Sequence, residues 1–236
     1  MQKGKKIYEG KAKIIYETDN PDFVIQYFKD DATAFNAQKR GTVLEKGIVN
    51  NKISAKVFEY LEANNIPTHF EKMLSDREML VKRVKIVPLE VIVRNRAAGS
   101  LCRNLGLEEG SALFCPVQEF CFKRDDLNDP LINESHIRAL RLATDEALEK
   151  LKYYSFRINE LMLDFFQALN LDLIDFKLEF GDCKGKIILA DEISPDTCRL
   201  WEVGTGRKLD KDRFRHDLGN VEEAYQEVLK RVSGKS

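Results

Sequence analysis

The chain has 236 residues, 43% of them hydrophobic and 33% charged, with a formal net charge of -1. That length carries a core in one large or two modest domains. The near-neutral balance argues against a nucleic-acid-binding module, whose phosphate-tracking surface leaves a basic excess. Cys102, Cys115, Cys121, Cys183 and Cys198 form no close CxxC pair, and His69, His136 and His216 stand apart. A disulfide framework and a structural zinc site are therefore disfavoured, and reduced thiols in a cytoplasmic protein are expected. No apolar run approaches membrane-spanning length, and the polar stretch Met1 to Lys6 lacks the apolar core of a signal peptide.

The first part of the chain reads as strands at Lys6 to Glu9, Lys13 to Glu17 and Phe23 to Phe28, with the turn signal Asp19-Asn20-Pro21-Asp22 between the last two. From Gly47 to Asn64, Val49, Ile53, Val57 and Leu61 recur every four positions and predict an amphipathic helix. Further strands are predicted at Thr68 to Leu74, Met79 to Val84 and Leu89 to Arg94. A break near Pro88 separates a β-rich lobe, residues 1–87, from the remainder, residues 88–236. Thr144 to Leu169 is the clearest helix: Thr144 caps it, and Leu148, Leu151, Ile158, Leu161, Met162, Phe165 and Leu169 form its buried stripe. The last helix is expected from Asn220, with Glu223 completing a capping box, to about Ser233. Strands followed by mixed helices and strands indicate an α+β fold in two lobes.

The most informative stretch lies between Leu173 and Asp191. Asp175, Lys177 and Glu179 alternate with Ile174, Phe176, Leu178 and Phe180, so an extended chain carries the charges on one face and the hydrophobes on the other. With a turn at Gly185, Asp191 returns opposite Glu179, with Cβ atoms about 5 Å apart. Such a face is either a solvated edge hairpin or a site where two carboxylates share a divalent cation, Mg²⁺ being the ion held by one or two carboxylates plus nucleotide phosphates.

Three other segments carry chemistry-bearing residues. Tyr8-Glu9-Gly10-Lys11-Ala12-Lys13 is either a plain basic hairpin or a turn that admits a polyphosphate to its backbone and two lysines. In the run Pro88 to Ser100, Glu90 and Arg94 share a face and either pair with each other or leave Arg94 and Ser100 for a phosphate monoester. Asp125, Asp126 and Asp129 read as a turn or a second cation site, and the polar loop Glu192 to Arg199 ends in another candidate anion ligand, Arg199.

The order of the motifs is more telling than any one of them. YEGKAK, DDATAFN at Asp30 to Asn36, KGIVNNKIS at Lys46 to Ser54, PLEVIVRNRAAGS, LIDFKLEFG and ADEISPDTCRLW together resemble the SAICAR synthetase family of purine biosynthesis, from about Tyr8 to the DKDRFR segment at Asp210 to Arg215. DDATAFN matches one version of its loop, other members carrying a glycine-containing sequence there. The resemblance implies a two-lobed fold similar to protein kinases and ATP-grasp enzymes, with nucleotide between the lobes. It implies an ATP-dependent ligase joining L-aspartate to 5-amino-1-(5-phosphoribosyl)imidazole-4-carboxylate (CAIR), by way of an acyl phosphate.

By the same resemblance Gly10, Lys11, Ala12 and Lys13 meet the ATP phosphates, and backbone groups near Arg83 and Val84 read adenine. Glu179 and Asp191 hold Mg²⁺ on the nucleotide, and Glu90 and Asp129 a second ion on the CAIR carboxylate. Arg94, Ser100 and Arg199 hold the ribonucleotide phosphate, and Arg215 meets the carboxylates of aspartate. Lys177 stabilises the transferring phosphoryl group, and Asp175 orients reacting groups or accepts the amine proton. A cytoplasmic homodimer is implied as well, with no nucleic-acid or membrane partner. Two other activities fit the same residues: a phosphotransferase acting on another small substrate, and a nucleotide-binding regulatory module without turnover.

Overall fold

A computed structural model describes residues 1–34 and 38–234. The end of the DDATAFN motif, Phe35 and Asn36, lies outside the described residues. The first lobe begins with the antiparallel strands β1 (Lys3–Glu9), β2 (Lys13–Thr18) and β3 (Phe23–Phe28). A small hairpin of β4 (Asp31–Ala34) and β5 (Lys39–Thr42) leads into helix α1 (Lys46–Ala63), then β6 (Phe70–Met73) and β7 (Glu78–Lys82). The sheet order is β1-β2-β3-β7-β6. Val49, Ile53, Val57 and Leu61, the predicted stripe of α1, are all buried against this sheet.

The second lobe comprises β8 (Lys85–Arg96), α2 (Ser100–Leu105), β9 (Ala112–Phe122), a 3-10 turn (Asp125–Leu127), β10 (Leu131–Ile132), α3 (Glu134–Ala139) and α4 (Asp145–Gln167). It continues with β11 (Leu171–Cys183), β12 (Lys186–Ala190), β13 (Cys198–Glu202), α5 (Asp212–Arg215) and α6 (Val221–Val232). Its sheet runs β10-β9-β8-β11-β12, and β13 also pairs with β11. Thr144 accepts the Ala147 N–H at 3.1 Å and starts α4 as predicted. The predicted α4 stripe buries Leu148, Leu151, Ile158, Leu161 and Met162 over β11 and β8, each worth about 1.5–3 kcal/mol relative to exposure, while Phe166 is buried in place of the expected Phe165, and Phe165 and Leu169 are half-buried.

β11 is therefore a central strand, which rules out the solvated edge hairpin. β8 covers one side of it, while β12 pairs with Glu179 to Cys183 and β13 with Leu171 to Phe176 on the other. Between β12 and β13 the loop after Asp191 closes the gap, the Lys177 N–H donating to the Thr197 carbonyl at 2.9 Å.

Four expectations are corrected. The strand runs straight through Pro88, and the chain passes from one sheet to the other at Arg83-Val84. The proline is tolerated because Val87, Pro88 and Leu89 together face Phe180 in a bulge, where no ladder donor is required of it. Gly181 makes this crossing possible: a Cβ there would come within 2.5 Å of the Val84 side chain. The β11-β12 hairpin turns on Lys184 and Gly185, both left-handed at φ 53° and 84°, as a two-residue turn of this hand requires. That turn puts Ala190, not Asp191, opposite Glu179. Asn220 is itself left-handed, φ 49°, and makes no side-chain cap, because a capping side chain acts from an extended backbone. The capping box occurs instead at Asn133 and His136, at the start of α3.

Glu90 and Arg94 likewise do not pair with each other: Glu90 meets Lys177, and Arg94 meets Asp175 and Glu119. The two lobes are stitched together, with Thr68 bridging Leu189 and the His69 N–H donating to the Leu189 carbonyl at 2.8 Å. α6, at the chain's end, crosses back to pack on α1. No helix among the described residues is long and apolar enough to cross a membrane.

Candidate active site

Between the lobes lies a cleft of about 560 Å³. Its first-lobe wall includes the β1-β2 turn, Gly10 to Lys13, and the crossing residues Arg83 and Val84. Lys11 reaches across to Asp125 at 2.8 Å, so the turn closes over the opposite lobe. The Arg83 N–H is spent on the Asp22 carbonyl at 2.7 Å. Val84 is thus the better placed of the two as a main-chain donor to a base.

On the facing wall the alternation of β11 brings Lys177 and Glu179 to the cleft, joined by Glu90 from β8, Asp191 and Asp129. Glu179 and Glu90 are directly in register across the two strands. Two carboxylates so placed repel, and Lys177 resolves this by donating to both, 2.7 Å to each. Lys123, 2.8 Å from Glu179, adds a second cation. Lys13 crosses from β2 to pair with Asp191 and, at 2.9 Å, with Glu192.

Burial works to lower the Lys177 ammonium, but Glu179, Glu90 and Asp191 together outweigh it and hold the lysine charged well above its ordinary range. Lys13 is raised in the same way, Asp191 and Glu192 overcoming its burial. Asp191 is half-buried, and against that desolvation Lys13 and Lys177 keep its carboxyl below the usual range. His69, buried beside Lys13 and Lys82, is pushed down to about 3 by burial first and those cations second, so its ring is neutral.

Among the described residues no cluster of three or more His, Cys, Asp or Glu could hold a metal by itself. The carboxylates of the cleft are hard oxygen donors in pairs, which fits an ion completing its shell with phosphate oxygens and water. Their lysine partners would have to give way to it.

A second cluster sits further along the same face of β11. Asp175 Oδ2 accepts from Arg94 Nη1 and from Arg199 Nη1, both at 2.7 Å. Arg94 also donates to Glu119 and to Ser100, again at 2.7 Å, and to the Ala98 carbonyl at 3.3 Å. It is 2% exposed. Arg199 donates to Asp212 at 2.8 Å, and Arg215 closes the chain on Asp212 at 2.6 Å. Arg199 is the more available of the two guanidiniums, because its Nη2 has no hydrogen-bond partner among the described residues. Gly99, at φ 57°, lets that group lie on the main chain, since a Cβ would come 2.5 Å from Nη2. Arg94, Ser100 and Arg199 are thus brought together around Asp175, which is enclosed between two arginines, and none of the four lines the cleft.

The SAICAR synthetase family pattern matches residues 6–232. The chain belongs to this family. The phosphoribosylaminoimidazole-succinocarboxamide synthase of Thermoanaerobacter sp. (strain X514) is 59% identical over 234 residues, covering 99% of this chain and all of the relative. A crystal structure of the Ehrlichia chaffeensis synthase superposes with a TM-score of 0.95 at 47% identity, over 98% of this chain and 100% of its own. A SAICAR synthetase in complex with ADP gives 0.93 at 44% identity, over 97% and 98%. The two-lobed α+β fold is the one that family shares, and the chain is an ATP-dependent ligase of purine biosynthesis.

Several residues of the site escaped the sequence reading. Glu119 and Lys123 lie on and just beyond β9, whose burial shows no alternation. Glu192 was passed over as a loop residue although it adjoins Asp191, and Lys211, Asp212 and His69 carry no local signal. Lys211 lines the cleft 3.8 Å from Asp196, whose oxygens are already taken by Lys46 at 2.7 Å and Tyr225 at 2.6 Å.

Proposed function

We propose that this enzyme joins L-aspartate to CAIR while converting ATP to ADP and phosphate, through an acyl phosphate. The observation that carries the reading is Lys177, held charged between Glu90 and Glu179 on the wall that faces the Lys11 and Lys13 turn. A carboxylate is a poor acyl donor. An oxygen of the CAIR carboxylate therefore first takes the γ-phosphoryl group and releases ADP; the neutral amine of aspartate then attacks the acyl carbon, loses a proton and expels phosphate. Phosphoryl transfer asks the protein mainly for positioning and charge neutralisation, which Lys177, Lys13 and Lys11 supply.

Glu179 and Asp191 would hold Mg²⁺ on the nucleotide, where it neutralises phosphate charge. Glu90 and Asp129 would serve a second ion on the CAIR carboxylate. Val84, with Arg83, borders the adenine. Arg199, supported by Arg94 and Ser100, would take the ribonucleotide phosphate. Asp175 enters as a positioning residue in place of a proton acceptor, since both neighbours of its carboxylate are guanidiniums. Lys211, whose ammonium is lowered by burial and only weakly compensated by Asp196, joins Arg215 as a ligand for the carboxylates of aspartate. A cytoplasmic homodimer accompanies this reading, as the resemblance implies, and sedimentation would test the dimer.

The decisive experiment follows ADP release and product mass with MgATP and CAIR, with and without L-aspartate, using CAIR labelled with ¹⁸O in its carboxylate. Aspartate-dependent ADP release, succinocarboxamide product and one ¹⁸O in the released phosphate are expected. ADP release that needs no amine would favour a phosphotransferase on another substrate, and unlabelled phosphate would sink the acyl phosphate.

A further inference from the structure

Asp191 leaves β12 in the left-handed region, φ 64°. A non-glycine residue persists there only when its surroundings hold it. The support comes from the other lobe. Gln26, 3% exposed on the central strand β3, donates its side-chain amide to the Asp191 carbonyl at 3.2 Å. His69, equally buried, lies beside the Asp191 backbone. Its own main chain is anchored on both sides, the N–H to Leu189 at 2.8 Å and the carbonyl accepting from Lys82 at 2.6 Å.

The tautomer follows from accounting. Nε2 of His69 is buried with no hydrogen-bond partner among the described residues. A proton there would be an orphaned donor, so the proton belongs on Nδ1, the nitrogen left to meet Asp191. A phenylalanine or leucine would fill these two positions without burying polar atoms. Both side chains also line the cleft, and what their polar atoms meet there is the Asp191 peptide.

We propose that Gln26 and His69 are positioning residues that hold the Asp191 peptide left-handed, so that its carboxylate is presented to the nucleotide's metal. The inference rests on the assignment of Asp191 as a Mg²⁺ ligand. It makes the metal site a product of both lobes: β12 supplies the carboxylate and the first lobe sets its direction.

The test is calorimetric titration of ADP, with and without Mg²⁺, into wild-type protein, Gln26→Leu, His69→Phe and His69→Asn. Asparagine places an amide N–H near the Nδ1 position and serves as the rescue. The gain in ADP affinity conferred by Mg²⁺ should fall about tenfold in Gln26→Leu and His69→Phe, as expected for one lost hydrogen bond, with Mg²⁺-free affinity within about twofold of wild type. His69→Asn should recover most of the gain. Equal losses with and without Mg²⁺ would make the two residues merely structural and overturn the proposal, as would an unchanged gain in both. Should His69→Phe fail to fold, Gln26→Leu and the size-matched Gln26→Glu decide. A wild-type protein that gains nothing from Mg²⁺ would instead remove the metal assignment itself, and this inference with it.

Discussion

The two faces of β11 were built under opposite rules. Phe176, Leu178 and Phe180 are each no more than 1% exposed and belong to the core cluster that includes the α4 stripe, whereas Asp175, Lys177 and Glu179, two residues apart, carry five ion pairs of 2.7–2.8 Å. The apolar face is held by non-directional burial. The charged face pays heavy desolvation and recovers it only through geometry, so replacing such a network with hydrophobes is often neutral or stabilising. A fold that needed only stability would have no use for it. The charges therefore mark what the strand does, and the hydrophobes what keeps it in place.

Substitutions on the two faces should separate activity from stability. Glu179→Gln keeps the acceptors for Lys177 and Lys123 but loses the charge, so turnover should fall by about 10³-fold while the melting temperature moves by only a few degrees. A drop of tens of degrees would make Glu179 structural and erase the distinction between the faces. Phe176→Ala, one strand position from Lys177, should do the reverse. It should cost about 3–5 kcal/mol of stability, read by urea denaturation, with ADP affinity unchanged in the fraction that stays folded.

The arginine cluster sharpens the contrast, because its two members divide the same roles. Arg94→Ala would leave Asp175 and Glu119 buried without their shared partner, at about 3–5 kcal/mol. Arg199→Ala leaves Asp175 its bond to Arg94 and removes the more available guanidinium. The KM for CAIR should rise about 10- to 100-fold, the worth of a charge-assisted bond, with the KM for ATP little changed. Equal rises in both constants would refute the phosphate assignment.

Much of this was legible in the chain itself. The period-two alternation of β11, the four-residue recurrence in α1 and the Thr144 cap are local signals, and local signals survive folding when the burial pattern agrees with them. What could not be read depends on tertiary placement. β9 carries Pro116 and a burial pattern without alternation, so neither it nor its passengers Glu119 and Lys123 announced themselves. The ion pairs of Arg199 with Asp175 and Asp212 span 24 and 13 residues, and no spacing rule reaches that far. The hairpin register was missed by one because two left-handed residues share the turn, where only Gly185 advertised that conformation. Gln26 and His69 are single polar residues inside apolar strands and loops, and only the tertiary structure brings them to the cleft beside Asp191.

The smallest effect comes from Asp210, at the far end of the arginine chain. Its side chain is fully buried, accepting the Leu200 N–H at 2.9 Å and the Asp212 N–H at 2.7 Å. Burial, and then the neighbouring Asp212 charge, push its carboxyl up to about 7. Asp212 goes the other way: despite its burial, Arg199 and Arg215 hold it well below the usual range. An acid whose pKa is raised on folding stabilises the protein fully below its unfolded value, about 3.9, and the contribution is lost as pH rises through the folded value. Between pH 6 and 8 this one group should remove ~1.4 kcal/mol of stability. Asp191, Asp196 and Asp212, all lowered in the folded protein, lose their contributions only as pH falls below the unfolded value, and so leave that window untouched. Asp210→Asn should therefore be less stable overall, having exchanged one acceptor for a donor, yet between pH 6 and 8 it should gain ~1.4 kcal/mol relative to wild type in denaturant titrations, on top of the opposing rise that His69, lowered on folding, gives both proteins. A variant with the wild-type slope would place the titration on another group and leave Asp210 ionised at the base of the Arg199 cluster.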